Sequence, residues 1–245
     1  MKLTPNTNPI ASIIMTLLEA IDARHAVRKF QDRPLDEGAV AMLRNEIDRC
    51  NREGGLHIQL VTHEPVAFGT GMASYGIFSG VSNYMAMICR KGDEVSLGYY
   101  GEQLVLLAQT LGINSCWVGL TFKKQPDHYT IADGEKLACV VALGYGETQG
   151  TPHPQKKGIE AYYDDRRMAE ASQPLPDWFR NGMEAALKAP TAVNQQKFRF
   201  TLLDGAAVRL ETRFTLLNAY AQVDLGIVRC HFEIAAGKDH FYWAD

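Results

Sequence analysis

The sequence predicts a protein of mixed helices and strands, and three observations carry that expectation. Apolar residues recur at helical spacing in several long stretches, and short runs rich in alternating apolar residues separate them. Two of those runs, KFRFTLL and AAVRLET, flank Asp204 and Gly205 as the arms of a hairpin. A chain of 245 residues can bury a sizeable core, either as one large domain or as two modest ones.

Taken in order, Ile10, Ile13, Ile14, Leu17, Leu18 and Ile21 share one helical face, and DARHAVRKFQDRP follows as an arginine-rich loop stopped by Pro34. A second helix is expected over 36–49, with GGLHIQLV turning into a strand. Residues 66–82 are rich in glycine and aromatics but match no strict nucleotide fingerprint; they read either as a turned surface segment or as a loop on the substrate side. NYMAMICR is a strand. GYYGEQLVLLAQTLG is a largely apolar, central helix that Gly112 ends. Strands follow at SCWVGL and KLACVVALGYG. Residues 146–176 form a long polar connector with four prolines, in which IEAYYDDRRMAE has the look of a short helix. A helix over 177–189, the hairpin, a helix over 217–236 and a terminal strand at HFYWAD complete the chain.

The two halves share a faint order. MLRNEIDRC leads towards HIQLV, WFRNGMEAAL leads towards RFTLL, and each half later supplies a long apolar helix. A single domain over 1–245 is expected, with pseudo-repeat halves 24–145 and 177–245 joined by the connector, so that one chain imitates a dimer.

Charge and cysteines narrow the function. With 25 Lys and Arg against 28 Asp and Glu, the net charge of −3 lacks the positive field of a general nucleic-acid binder. The first apolar run is too short to span a bilayer and has no basic leader, so a soluble protein retained in the cytoplasm and away from membranes is expected. Five widely spaced cysteines suggest buried thiols rather than a disulfide framework or a metal knuckle. His231 and Glu233 lie close in sequence, but without an HExxH pattern they read as a polar network, and no metal is expected. The lone Cys116 has no matched histidine that would make it a nucleophile.

Two segments carry ligand chemistry. Arg24 and Arg28, with Lys29 and His25 beside them, form either a solvated basic turn or a phosphate site, because arginine forks grip phosphate oxygens in pairs. The stretch KAPTAVNQQKF offers small residues for a close backbone and the paired donors and acceptors of Asn194, Gln195 and Gln196, which suit the polar edge of a flat heterocycle as well as an ordinary helix-to-strand loop.

Taken together, DARHAVRKF, GYYGEQLVLLAQTLGINSCWVG, KAPTAVNQQKF and DLGIVRCHFE resemble the flavin-dependent nitroreductase family, especially its branch in which one chain looks like a tandem dimer. That resemblance covers most of the chain and implies an α+β fold with a central mixed, mainly antiparallel sheet, and FMN as cofactor. It places Arg24, His25 and Arg28 at the phosphate and ribityl end, with Ala26 where the family commonly has serine. It nominates Pro190, Thr191, Ala192, Asn194 and Gln196 around the flavin; Lys197 and Phe198 depart from the usual Pro and Trp. It carries Cys116, Trp117, Val118 and Gly119 to the flavin neighbourhood. The implied reaction moves electrons from NADH or NADPH through FMN to a nitroaromatic, quinone or related acceptor, with no protein acid, base or nucleophile assigned. A flavin-binding redox sensor or storage protein without nicotinamide turnover is the rival, and a monomeric pseudo-dimer is preferred over a homodimer.

Overall fold

The first described helix is fixed at its start by side chains rather than by burial. Thr16 Oγ1 accepts from the Glu19 amide at 3.2 Å while Glu19 Oε2 accepts from the Thr16 amide at 2.7 Å, a reciprocal capping box. The chain is seen here as a computed structural model describing residues 15–69, 78–155, 157–168, 173–214 and 218–244. The expected start of the first helix at Ile10, Ile13 and Ile14, residues 70–77 of the glycine- and aromatic-rich segment, and residue 217 lie outside them.

Helix α1 (Leu17–Ala23) ends at Arg24, which is extended, so residues 24–30 leave the helix as a strand-like segment. Helix α2 (Glu37–Gly54) runs longer than expected and stops at Gly55, whose φ of 65° is the left-handed cap that glycine adopts freely. Strands β1 (Gln59–Val61), β2 (Asn83–Arg90), β3 (Asn114–Val118) and β4 (Glu135–Gly144), with helix α3 (Glu94–Thr110) between β2 and β3, complete the first half. They form an antiparallel sheet in the order β1-β2-β4-β3. All of β2 except Arg90 is buried because both its faces are covered: Met85, Met87 and Cys89 pack under α2 and α3, while Tyr84, Ala86 and Ile88 face a second cluster with Val27 and Phe30.

The second half contains β5 (Tyr163–Asp165), α4 (Asp177–Lys188), β6 (Phe198–Leu202), β7 (Ala207–Thr212), α5 (Asn218–Ala236) and β8 (Tyr242–Trp243). Here the order is β5-β6-β7-β8, with the antiparallel hairpin β6–β7 at the centre and a parallel strand at each edge. Its core is aromatic: Phe200 stacks on Phe232 with centroids 4.8 Å apart, and Phe179 meets both edge-on. The α+β class therefore holds, with the strands divided into two sheets of four rather than one central sheet.

The connector corrects one expectation. IEAYYDDRRMAE makes no α-helix among its described residues; it makes a single 3₁₀ turn at Ile159–Ala161 and then β5. Tyr162 stacks on Phe198, Tyr163 packs edge-on to Phe179, and Arg199 pairs with Asp164. Those partners all lie in α4 and β6, and they outweigh local helical preference.

Helices α3 and α5 join the halves, and two glycines set their approach. A Cβ at Gly98 would run into the carbonyl of Val223, and a Cβ at Gly226 would run into the carbonyl of Val95. Each glycine thus meets the residue three positions before the other, within the matching texts VSLG and VDLG. The reciprocal contact brings the two backbones together at a place where any side chain would push them apart.

Candidate functional site: a cavity where the two halves meet

The extended segment after α1 is zipped onto the first sheet. Val27 N donates to Ser115 O at 3.0 Å, Phe30 N donates to Ser79 O at 2.9 Å, and Val27 and Phe30 point into the core. Arg24 is buried as well, 3% exposed, whereas Ala26 and Arg28 face outward. Strand β3 runs alongside and is followed by Gly119, where a Cβ would lie 2.7 Å from the Tyr220 ring; the Tyr220 hydroxyl donates to the Gly119 carbonyl at 3.0 Å. Backbone pairing to the sheet holds this wall in place.

The opposite wall is a loop under strain. After α4 ends, Val193, Asn194 and Gln196 adopt φ of 47°, 52° and 47°, three of the five left-handed non-glycine residues among those described. Hydrogen bonds hold it there. The Asn194 amide donates to Thr191 O at 2.9 Å, the Gln196 amide to Thr191 Oγ1 at 3.0 Å, and the Ala192 amide to Asp224 Oδ1 at 2.9 Å. Gln195 Nε2 also donates to Asp224, at 2.8 Å.

Between these walls lies a cavity of about 460 Å³. It brings together Arg24, His25, Ala26, Arg28, Cys116, Trp117, Val118, Gly119, Pro190, Thr191, Ala192 and Asn194. Gln196 is absent from the lining. Its buried amide donates to Leu187 O at 3.1 Å and accepts from the Tyr162 hydroxyl at 3.1 Å, so it holds the loop to α4 and the connector. Asn194 does line the cavity, with Nδ2 donating to Pro154 O at 3.2 Å.

Sequence reasoning missed two parts of the wall. One is the connector itself: Thr151, Pro152, His153 and Pro154 line the cavity, and a His153 ring nitrogen lies 3.0 Å from Leu187 O. The other is the first part of α5, with Tyr220, Val223, Asp224 and Ile227. The spacing of 220, 223, 224 and 227 is a one-faced helical pattern that marks a buried stripe but not what it faces.

The ionisable groups of the lining are perturbed by identifiable causes. Burial pushes the Asp224 carboxyl up to about 6, against the opposing hydrogen bonds from Gln195 and Ala192. Burial, then the nearby Arg24 charge, lowers the His25 imidazole. Burial raises the Cys116 thiol although Arg28 and Arg24 oppose it, so this cysteine sits in the cavity as a neutral thiol. Arg24 Nε finds no hydrogen-bond partner among the described residues. A buried cation with an unmet donor beside a cavity fits an anionic ligand, and Trp117, Val118, Phe78 and Ile227 supply apolar surface for a flat ring.

The chain matches the protein family described as "Putative TM nitroreductase" over residues 16–236. Among solved structures, it is similar to a putative nitroreductase from Thermotoga maritima, 20% identical, with a TM-score of 0.60 and coverage of 95% of this chain and 88% of that one. Two more distant matches are an FMN-dependent nitroreductase from Clostridium difficile and a nitroreductase with bound FMN from Bacteroides fragilis. The first is 15% identical with a TM-score of 0.45, covering 58% of this chain and 95% of that one. The second is 18% identical with a TM-score of 0.39, covering 58% of this chain and 93% of that one. No curated protein gives a match.

Proposed function

This chain belongs to that nitroreductase family, and from this premise we propose that it is an FMN-dependent oxidoreductase that takes electrons from NADH or NADPH and delivers them to a nitroaromatic, quinone or related small-molecule acceptor. The observation that carries the reading is the cavity, which pairs the unmet donor of a buried arginine with an apolar slot of cofactor size. Arg24 and Arg28 would hold the phosphate end. Trp117, Val118 and Ile227 would pack on the ring, and the left-handed loop from Thr191 to Asn194 would present its backbone to the ring's polar edge. FMN supplies the electron-transfer chemistry when bound, while these residues bind it, orient it and exclude water from one side.

The first half, the connector and the second half of this one chain all contribute described lining residues. That supports a monomer working as its own dimer. The five cysteines are free and buried, in keeping with a reducing cytoplasm; no helix among the described residues is long and apolar enough to cross a membrane.

Purified protein should show a flavin absorption spectrum, release FMN on denaturation and bleach on anaerobic addition of NADH or NADPH. A well-folded preparation that neither retains nor rebinds FMN sinks the assignment. Bleaching by dithionite but by neither nicotinamide would leave the sensor reading standing. A flavin-loaded species that sediments as a dimer would remove the pseudo-dimer.

A further inference from the structure

Behind the cavity wall, α3 and α5 place Glu102 against His231, both fully buried and neither in the lining. Glu102 Oε2 accepts from the Trp117 indole at 2.8 Å. Its Oε1 lies 2.8 Å from His231 Nε2 and 3.6 Å from Arg24 Nε. On the far side of the imidazole, Nδ1 is 3.1 Å from the carbonyl oxygen of Ala185 in α4.

Donor and acceptor chemistry limits how many protons this arrangement holds. A carbonyl can only accept, so Nδ1 must carry a hydrogen. The 2.8 Å contact between Nε2 and Oε1 also needs a hydrogen, from the imidazole or from the carboxyl. Either way Glu102 and His231 together are neutral: imidazolium with carboxylate, or imidazole with carboxylic acid. The alternative, a hydrogen on Nε2 alone, sets a bare Nδ1 lone pair against a carbonyl in a dry interior. The neighbouring Cys230 thiol, raised by burial and by Glu102, adds no charge.

We infer that His231, by holding this proton against Glu102, leaves the charge of Arg24 uncancelled and makes the cavity wall selective for a ligand with an anionic group such as a phosphate monoester. Without it, the carboxylate 3.6 Å away would neutralise the arginine before any ligand arrived. His231 is a positioning residue, since it acts on the ligand through Arg24 by neutralising Glu102. The inference rests on the proposed flavin site only for the identity of the anion.

The test compares wild type, His231→Leu and Glu102→Gln, each checked for folding by circular dichroism. The readout is the ratio of riboflavin to FMN dissociation constants from flavin fluorescence, which isolates the phosphate. In His231→Leu, chosen over glutamine because a glutamine carbonyl can still accept a hydrogen from Glu102, no side chain shares the proton. Glu102 then faces Arg24 as a carboxylate, the trio becomes neutral, and the preference for FMN should fall by about tenfold or more. In Glu102→Gln the new amide donates to a neutral His231, the trio keeps its positive charge, and the preference should stay within about threefold. Equal loss in both variants, or an unchanged preference in His231→Leu, overturns the inference. If His231→Leu does not fold, ¹⁵N-histidine spectra of wild type decide: two nitrogens sharing protons as described support it, and a bare Nδ1 overturns it. A wild type that binds neither flavin defeats the flavin reading instead. The same three proteins are then titrated with pyrophosphate by isothermal calorimetry, where the same order of affinities is expected and an absence of binding by wild type overturns the inference.

Discussion

The two long walls of the cavity use their polar groups in opposite ways. The arginine segment and β3 have their backbones paired in a sheet, and Arg24 is left with an unmet donor beside the cavity. The loop from Thr191 to Gln196 turns its polar side chains largely back on the protein: Thr191 onto Gln196, Gln195 onto Asp224, Gln196 onto Leu187 and Tyr162. On the proposed reading, the first wall recognises charge and the second holds a shape. Loss of a side chain should therefore appear as lost affinity on one wall and as lost stability on the other.

The strongest test of that contrast is Arg24→Met, which keeps much of the buried volume and removes the charge. FMN affinity should drop on the order of a hundredfold, as expected for a charge-assisted contact in a dry site, and the preference for FMN over riboflavin should shrink with it. Fluorescence titration of both flavins measures this. If both affinities fall equally, Arg24 shapes the cavity without reading its charge.

Gln196→Ala should do the reverse. It removes the acceptor of the Tyr162 hydroxyl and one of the two partners of the Leu187 carbonyl, which keeps His153, in a buried place; this costs about 1–3 kcal/mol in urea denaturation, while the FMN affinity of the folded fraction changes little. A large loss of affinity without a loss of stability would put Gln196 in contact with the ligand after all.

What was legible in the sequence divides along the same line. NYMAMICR is β2 residue for residue, and the hairpin around Asp204 and Gly205 is present, because local alternation and turn chemistry decide those elements. Arg24 and Arg28 stand beside the cavity because their neighbours Val27 and Phe30 must be buried, which fixes the segment against the sheet. The direction of an amide is a different matter: nothing in NQQ tells which side chain turns inward, and the left-handed backbone that sends Gln196 to Tyr162 depends on contacts 34 residues away. Asp224, the connector strap at Thr151–Pro154 and the pairing of Glu102 with His231 across 129 residues were illegible for the same reason. β5 was missed because its partner strand lies beyond α4 and the loop.

Asp224 sharpens the comparison through pH. Its folded value of about 6 lies above the ordinary carboxyl value of 3.8, so the folded state prefers the protonated acid. Its contribution to stability is fully present below about pH 4 and is lost as pH rises through 6. Asp224→Asn should remove that slope. Melting curves between pH 4 and 7 should show wild type losing about 1–2 kcal/mol relative to the variant, with most of the change complete by pH 7. A parallel pair of curves would mean that Ala192 and Gln195 compensate the buried charge completely.

The smallest effect isolates the strain of the loop from its hydrogen bonds. Val193 is exposed, β-branched and held at φ 47°, a conformation that costs an L side chain roughly 1–2 kcal/mol and a glycine almost nothing. Val193→Gly relieves that cost but gives the unfolded chain about 0.5–1 kcal/mol more entropy to lose. The net gain should be about 0.5 kcal/mol, read as a small rise in the urea midpoint at unchanged slope. Affinity should move the other way: a glycine lets the loop leave the conformation that Val193 shares with Asn194 and Gln196, so FMN should bind about two- to fivefold more weakly, through a faster off-rate. If instead stability falls and affinity holds, the valine side chain contributes packing at the cavity rim that outweighs its strained backbone.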